Sequence, residues 1–359
     1  MAYTPKPIAP PWKGVLDDQP SILAPSSSFA SCQGFYIEKQ RIRPFVNRLN
    51  FPLWPDPFGP EIGERTFLDV LGNNHTVIIT ATAAYYFVNG VYTLVFSGGN
   101  PSLTPAKEEV YQNTLIYTNG TGSPVVIDGS AVSTTISLPN SGTCLFLGKL
   151  ASRMLYLNLF EPSPPNPGAV HYPRRFRFSQ VNNANNFTDF TAGVVDIAEV
   201  EDAITGYATQ GALGYIYRNR GISTVTPTGG TAPSFYVENY TEGRGVGNFF
   251  PYTLAQYGNL TAFASEADIH AFNPLLGPPQ PIGGTATRSI YTDLYSTNGT
   301  PVGGLFPTYG SGQQGLQYWL AIPITGNTSL VWSFQFDSQT WTRQTYPFNV
   351  TCIDLIGVS

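Results

Sequence analysis

Short apolar and β-branched runs, separated by tight polar turns, recur along most of this chain. Near its end, Tyr318-Trp319-Leu320-Ala321-Ile322-Pro323 leads through Thr325-Gly326-Asn327 to Ser329-Leu330-Val331-Trp332-Ser333-Phe334-Gln335-Phe336. A second turn, Asp337-Ser338-Gln339, returns the chain to Trp341-Thr342-Arg343. Short aromatic strands joined by tight turns write one blade of a β-propeller, which is a small twisted antiparallel sheet.

Looser versions of the unit precede it. Tyr85–Val88 and Val91–Phe96 flank Asn89-Gly90, the strongest short hairpin signal, because a type I′ turn needs φ > 0 at both central positions. Thr114–Thr118 is followed by Val125–Ile127, and Arg153–Leu157 runs through a Pro-rich loop (Pro162 to Pro173) to Arg175–Ser179. Leu213–Tyr217 pairs with Ile222–Val225, and Leu260–Ala264 with Asp268–Phe272. The leading strands begin near residues 76, 114, 153, 213, 259 and 318. Intervals of roughly 40 to 60 residues match propeller repeats with loop insertions. The pattern predicts an all-β β-propeller of five to seven blades, with six the favoured count. A two-sheet sandwich has a similar strand inventory and is the structural alternative.

Residues 1–62 read differently. Eleven of the 31 prolines fall there, which favours extended chain around one strand-like stretch, Phe35–Ile42. The expected division is a Pro-rich N-terminal arm and wrap over 1–62 and a propeller domain over 63–359. The arm, with Trp12 as anchor, either straps a neighbouring subunit or folds back on its own domain.

Composition changes the picture in one respect. Charged residues make up only 11%, against about 25% in a typical soluble domain. A surface of neutral polar and aromatic side chains suits contact with neighbouring subunits, since charge is depleted at interface cores. The net charge of −5 argues against a protein that coats nucleic acid. No apolar run reaches membrane-spanning length, and the start lacks the apolar stretch of a signal peptide, so assembly in a reducing cytoplasm is expected. Cys32, Cys144 and Cys352 have no metal spacing and read as buried free thiols. The eight Asn-X-Ser/Thr triplets read as a by-product of Asn- and Thr-rich turns.

Candidate chemistry is sparse. His75, His171 and His270 lie far apart with no zinc-ligand spacing, and neither a Gly-x-Ser-x-Gly elbow nor a phosphate loop is present. The one acidic cluster in the sequence, Asp196 to Asp202, presents at most two acids per strand face and reads as a solvated bend. The expectation is therefore no enzyme, no cofactor and no metal. Basic residues gather at Lys39–Arg43 and Arg174–Arg177. Alternation puts Arg175 and Arg177 on one strand face, ready to pair with acids within the protein, with a neighbour's acids or with phosphate. Trp12, Arg41, Arg43, Arg175 and Arg177 are the subunit-interface candidates.

Arg177-Phe178-Ser179, Asn186-Phe187-Thr188-Asp189-Phe190, Asp202-Ala203-Ile204-Thr205-Gly206 and Leu213-Gly214-Tyr215-Ile216-Tyr217 with Gly221-Ile222 carry a family resemblance. The stretch from Arg175 to Ile222 resembles the propeller domain of tail nozzle (tail tubular) proteins of short-tailed double-stranded DNA phages. The resemblance extends loosely over the chain after residue 75. It implies a structural virion protein, assembled in the bacterial cytoplasm into a homo-oligomeric, hexameric ring of the tail. Such a ring sits below the portal and adaptor, mounts tail fibres or spikes, and conducts DNA during ejection without sequence-specific binding or membrane insertion. Net acidity agrees with a tube that does not grip phosphate. The alternative function is a glycan-binding or glycan-cleaving propeller, a receptor-binding tail component; acid pairs facing the channel would favour it.

Overall fold

The computed structural model describes residues 61–353 except 89–90, 98–103, 131–132, 164–165, 198–201, 230–233, 241–244 and 311–312, and the backbone of 35–38 and 41–44. Residues 35–38 and 41–44 supply a two-stranded ladder of β1 (Phe35–Glu38) and β2 (Arg41–Pro44). The rest is a six-bladed β-propeller, six antiparallel sheets of four strands each. Blade 1 holds β3 (Glu61–Leu68), β4 (Asn74–Thr80), β5 (Ala83–Val88) and β6 (Val91–Ser97). Blade 2 holds β7 (Lys107–Tyr111), β8 (Thr114–Thr118), β9 (Val125–Ile127) and β10 (Ser133–Thr135). Blade 3 holds β11 (Thr143–Leu150), β12 (Arg153–Ser163), β13 (Asn166–Phe178) and β14 (Gly193–Asp196). Blade 4 holds β15 (Ile204–Gln210), β16 (Leu213–Arg218), β17 (Gly221–Pro227) and β18 (Phe235–Asn239). Blade 5 holds β19 (Ala255–Tyr257), β20 (Leu260–Ala264), β21 (Ile269–Phe272) and β22 (Gln280–Pro281). Blade 6 holds β23 (Val302–Gly310), β24 (Gln313–Ile324), β25 (Thr328–Gln335) and β26 (Thr340–Tyr346).

The six strands read as leading strands are in fact the second strands of their blades. A first strand borders the axis and carries a mixed pattern, as in β7, where only Tyr111 is fully buried. The second and third strands are covered on both sides by neighbouring blades, so they read as continuous apolar runs. The expected Pro-rich loop is largely strand as well: β12 and β13 continue their ladder out to Ser163↔Asn166. Register shifts beside Leu157 and Pro162 take up the irregularity, which is where a sheet accommodates proline.

Turn chemistry sets several of these registers. The two-residue turns Gln112-Asn113 and Ala151-Ser152 have φ of 49°, 60°, 49° and 58°, the doubly left-handed geometry of a type I′ hairpin. Asn119 and Asn186 each accept from the backbone N–H and the hydroxyl of a threonine two residues on. Asp128 and Asp189 do the same with Ser130 and Thr191. Two of the Asn-X-Thr triplets are therefore local turn locks.

The core lies between blades. Separate apolar clusters join blades 1 and 2, 2 and 3, 3 and 4, 4 and 5, and 5 and 6. The last of these also takes in α1 (Thr287–Tyr295), a helix the sequence reading did not place. Its Ile290, Tyr291 and Leu294 face the blades at helical spacing. Asp293 on α1 accepts from Trp332 Nε1 (2.8 Å) and Arg343 Nη2 (3.0 Å), which fixes the helix to blade 6.

Candidate functional site: the axial funnel and the turn face

Four antiparallel strands per blade give the propeller two unlike faces. Every link between blades leaves a fourth strand and enters a first strand on one face, the link face. All first-to-second and third-to-fourth turns emerge on the other, the turn face. Among the described residues, fourteen large apolar side chains are exposed. Eleven of them lie in or beside turns of the turn face: Leu68, Val70, Leu71, Val91, Val181, Phe190, Val194, Tyr236, Tyr257, Leu275 and Leu276. Leu71 and Leu276 are 82% and 85% exposed. Exposed charges on the same face, among the described residues, are Asp128, Lys149 and Asp337, at other turns. The link face, by contrast, carries the exposed Arg220–Glu266 pair (2.9 Å) and Arg288.

The axis is a funnel of about 910 Å³ lined by the first strand of every blade. Its wall is chemically divided. Blades 1 to 3 contribute Glu64, Arg65, Lys107, Glu108, Glu109 and Lys149, whereas blades 4 to 6 contribute Tyr207, Thr209, Gln256, Tyr257, Gly303, Gly304 and Phe306. Lys149 bridges to Glu109 (3.0 Å) and donates to the Val110 carbonyl (2.9 Å). Where blades 3 and 4 meet at the axis, a Cβ on Gly148 would stand 2.2 Å from the Tyr207 ring, so glycine is required for that close approach.

Tyr252, on the 3-10 turn Pro251–Thr253 that enters blade 5, lies 5.8 Å from the Phe146 ring, with Lys107 Nζ 5.1 Å over it. The blade carrying Lys107 stands opposite blade 5, so this tyrosine crosses the axis. Beside it the C-terminal residues reach blade 1: Thr351 Oγ1 donates to the Glu61 carbonyl, and the Cys352 thiol donates to Glu61 Oε1 (3.6 Å). Burial pushes the Glu61 carboxyl up to about 7, against hydrogen bonds from Cys352 and Glu64 that favour its charged form. The same burial, with Glu61, Glu108 and Glu64 nearby, raises the Cys352 thiol well above its usual range.

The sequence has its one acidic cluster at Asp196 to Asp202, and the fold adds this second gathering of carboxylates. Glu61 and Glu64 come from β3 and Glu108 from β7, and they meet where the consecutive blades 1 and 2 adjoin at the axis. In sequence Glu61 opens β3, Glu64 follows within the same strand and Glu108 is the second residue of β7, so no local pattern marks the three as a group. Asp196 itself lies on β14, where Arg175 binds it through two hydrogen bonds of 2.7 Å and holds its carboxyl below the usual range. Arg175 also reaches Glu161 (3.1 Å), which is 2% exposed and accepts from Arg177 as well. Both guanidiniums thus pair inside blade 3, and Arg175 stacks on Tyr172 at 4.0 Å. Arg41 and Arg43 lie on β2, with Cα partners Glu38 and Tyr36. Trp12 lies outside the described residues.

The histidines are accounted for locally. His75 pairs with Asp69 (2.9 Å), whose carboxyl is held well below its usual range by that bond and by Asn73. His171 bonds Asn158 (2.5 Å), and His270 is buried against Phe263. Cys144 is fully buried, as expected of an inert thiol, while Cys352 is half-buried.

No family model matches the sequence, and no curated protein does. Among solved structures, the chain is similar to the WD40 domain of SCAP from fission yeast at 6% identity. That likeness covers 80% of this chain and 74% of that one, with a TM-score of 0.35. Chaetomium thermophilum Raptor matches at 10% identity over 78% of this chain and 25% of its own length, with a TM-score of 0.42.

Proposed function

We propose that the chain is a non-enzymatic assembly subunit, and that its assembly is the nozzle or hub ring of a short-tailed phage tail. One observation carries the reading: among the described residues, eleven of fourteen exposed large apolar side chains crowd the turn face, while its exposed charges are few. Exposed apolar side chains gathered on one face in this way suit a protein contact. The occupant in this reading is a second copy of the chain within the ring, which agrees with a charge content of 11% and with guanidiniums already paired internally. Tyr252 crosses the propeller's own axis, so the DNA path in such a ring runs between subunits. Portal, adaptor and fibre or spike proteins are its further proposed neighbours.

The test is native mass measurement with negative-stain imaging of the purified chain and of L71D/L276D. The parent forms closed rings, and the double variant is a folded monomer. A monomeric parent, or rings that survive both substitutions, rejects the reading.

A second reading has its own observation. Glu64, Glu108 and Glu109 face the funnel together with Tyr207, Tyr252 and Tyr257, a mix of carboxylates and aromatic rings that serves sugars. Binding of a glycan to the monomeric variant, lost on Tyr257→Ala, would promote it.

A further inference from the structure

We propose that the C-terminal segment Thr351–Ile353 is a releasable strap that closes the propeller at its seam, seated while the Glu61 carboxyl keeps its proton and unseated when that proton leaves.

The seam between blades 6 and 1 is built unlike the other five. Each of those is filled by an apolar cluster with members from both blades. On the open side of blade 6, Val302, Trp319, Ala321 and Val331 are instead covered by Val350 and Ile353 of the tail and by Tyr252. Among the described residues no strand from one chain end joins the sheet at the other, and β1 packs against β26 of blade 6; Val350 to Cys352 is the stretch that hydrogen-bonds both blades. Val350 N donates to Ser329 Oγ (2.8 Å) on blade 6, and two residues on, Thr351 and Cys352 bond Glu61 on blade 1. Gly304 makes room for it, since a Cβ there would stand 2.2 Å from Ile353.

The groups that face this contact are mostly acidic. Glu64 comes from the same strand, Glu108 from β7, the Tyr92 phenol from β6 and the Cys352 thiol from the strap itself. Lys107, beside Glu108, holds its ammonium over Tyr252. A protonated Glu61 lets the strap lie against it in a site poor in water, and this burial outweighs the Cys352 bond, which by itself favours the charged carboxylate. An ionised Glu61 puts another negative charge among carboxylates in that site, which costs free energy until water enters. Water enters most readily when three strap residues lift away. Burial that sets the Glu61 carboxyl near 7 places this exchange within the neutral range.

Release exposes Cys352, so the proposal is read by thiol alkylation. The full-length protein is pulsed with iodoacetamide at pH 6 and pH 8.5, and each cysteine is followed by peptide mass. Rates are divided by those of the urea-unfolded chain at the same pH, which removes the trivial thiolate effect. The expected outcome is that normalised labelling of Cys352 rises about tenfold with pH while Cys144 stays protected, and that Glu61→Gln flattens the rise. Labelling of the parent that does not change with pH overturns the proposal, as does an equal rise in Glu61→Gln. Should that variant fail to fold, Glu61→Asp, with its shorter reach to Cys352, takes its place. Its expected result is a higher Cys352 rate at pH 6 than in the parent, and an unchanged rate overturns the proposal.

Discussion

Trp332 is the residue through which the last blade can be tested most sharply. It is fully buried on β25, edge-on to Trp341 at 6.4 Å, and its Nε1 donates to the buried Asp293 carboxylate. Burying about 200 Å² of aromatic surface at ~25 cal/mol/Å² amounts to roughly 5 kcal/mol, and a compact unfolded chain lowers this by a tenth or more. Losing a hydrogen bond to a charged group adds about 1.5–3 kcal/mol, offset in part because Arg343 still holds Asp293. A Trp332→Ala variant is therefore expected to lose about 4–5 kcal/mol, at the upper end of the large-to-small range. At ~2.1 cal/mol/K per residue over the propeller, that corresponds to a fall in Tm of roughly 8 °C. Trp332→Phe keeps most of the volume and should lose about 2 kcal/mol. Differential scanning calorimetry of the three proteins decides the matter. A Trp332→Ala protein that melts within about 2 °C of the parent would show that blade 6 does not rest on this contact.

Other outcomes follow from the same structure. Because the folded-state carboxyl of Glu61 titrates near 7 and the unfolded one near 4.5, its contribution is complete below pH 4.5 and lost as pH rises to 7. Urea unfolding should thus show the parent losing about 3 kcal/mol across that window relative to Glu61→Gln, and a parallel pH profile for the two would refute the assignment. Tyr252→Ala should open the funnel toward the link face while shifting Tm by only a few degrees, and an unchanged crystallographic channel would contradict its role as a bar across the axis. Purified protein should turn over no glycan; turnover abolished by Glu64→Gln or Glu108→Gln would overturn the non-enzymatic reading. Deleting residues 1–30 should leave the melting temperature of the monomer unchanged but block ring formation, whereas a markedly lower Tm would place that arm on its own domain.

What the sequence determined by itself was the middle of each blade. Thr114–Thr118, Leu213–Tyr217, Leu260–Ala264 and Ser329–Gln335 are buried on both sides by adjoining blades, so their apolar runs are written without interruption. From these came the all-β class, the repeat and the count of six. Edge strands carry half-exposed patterns: Val91–Ser97 was legible through the Asn89-Gly90 turn before it, whereas Gly193–Asp196 has no such signal and was not read as a strand. Helix α1 escaped notice because its β-branched and aromatic residues have weak helical preference and its burial is supplied by blade 6. Tertiary structure alone decided the site. Glu61 and Cys352 stand 291 residues apart and touch only through ring closure, and Tyr252 meets Lys107 only across the axis. The apolar turn face likewise exists only once antiparallel pairing sends alternate turns to the same side. Local pattern records which strands are covered; which ends converge is set by the circle they close.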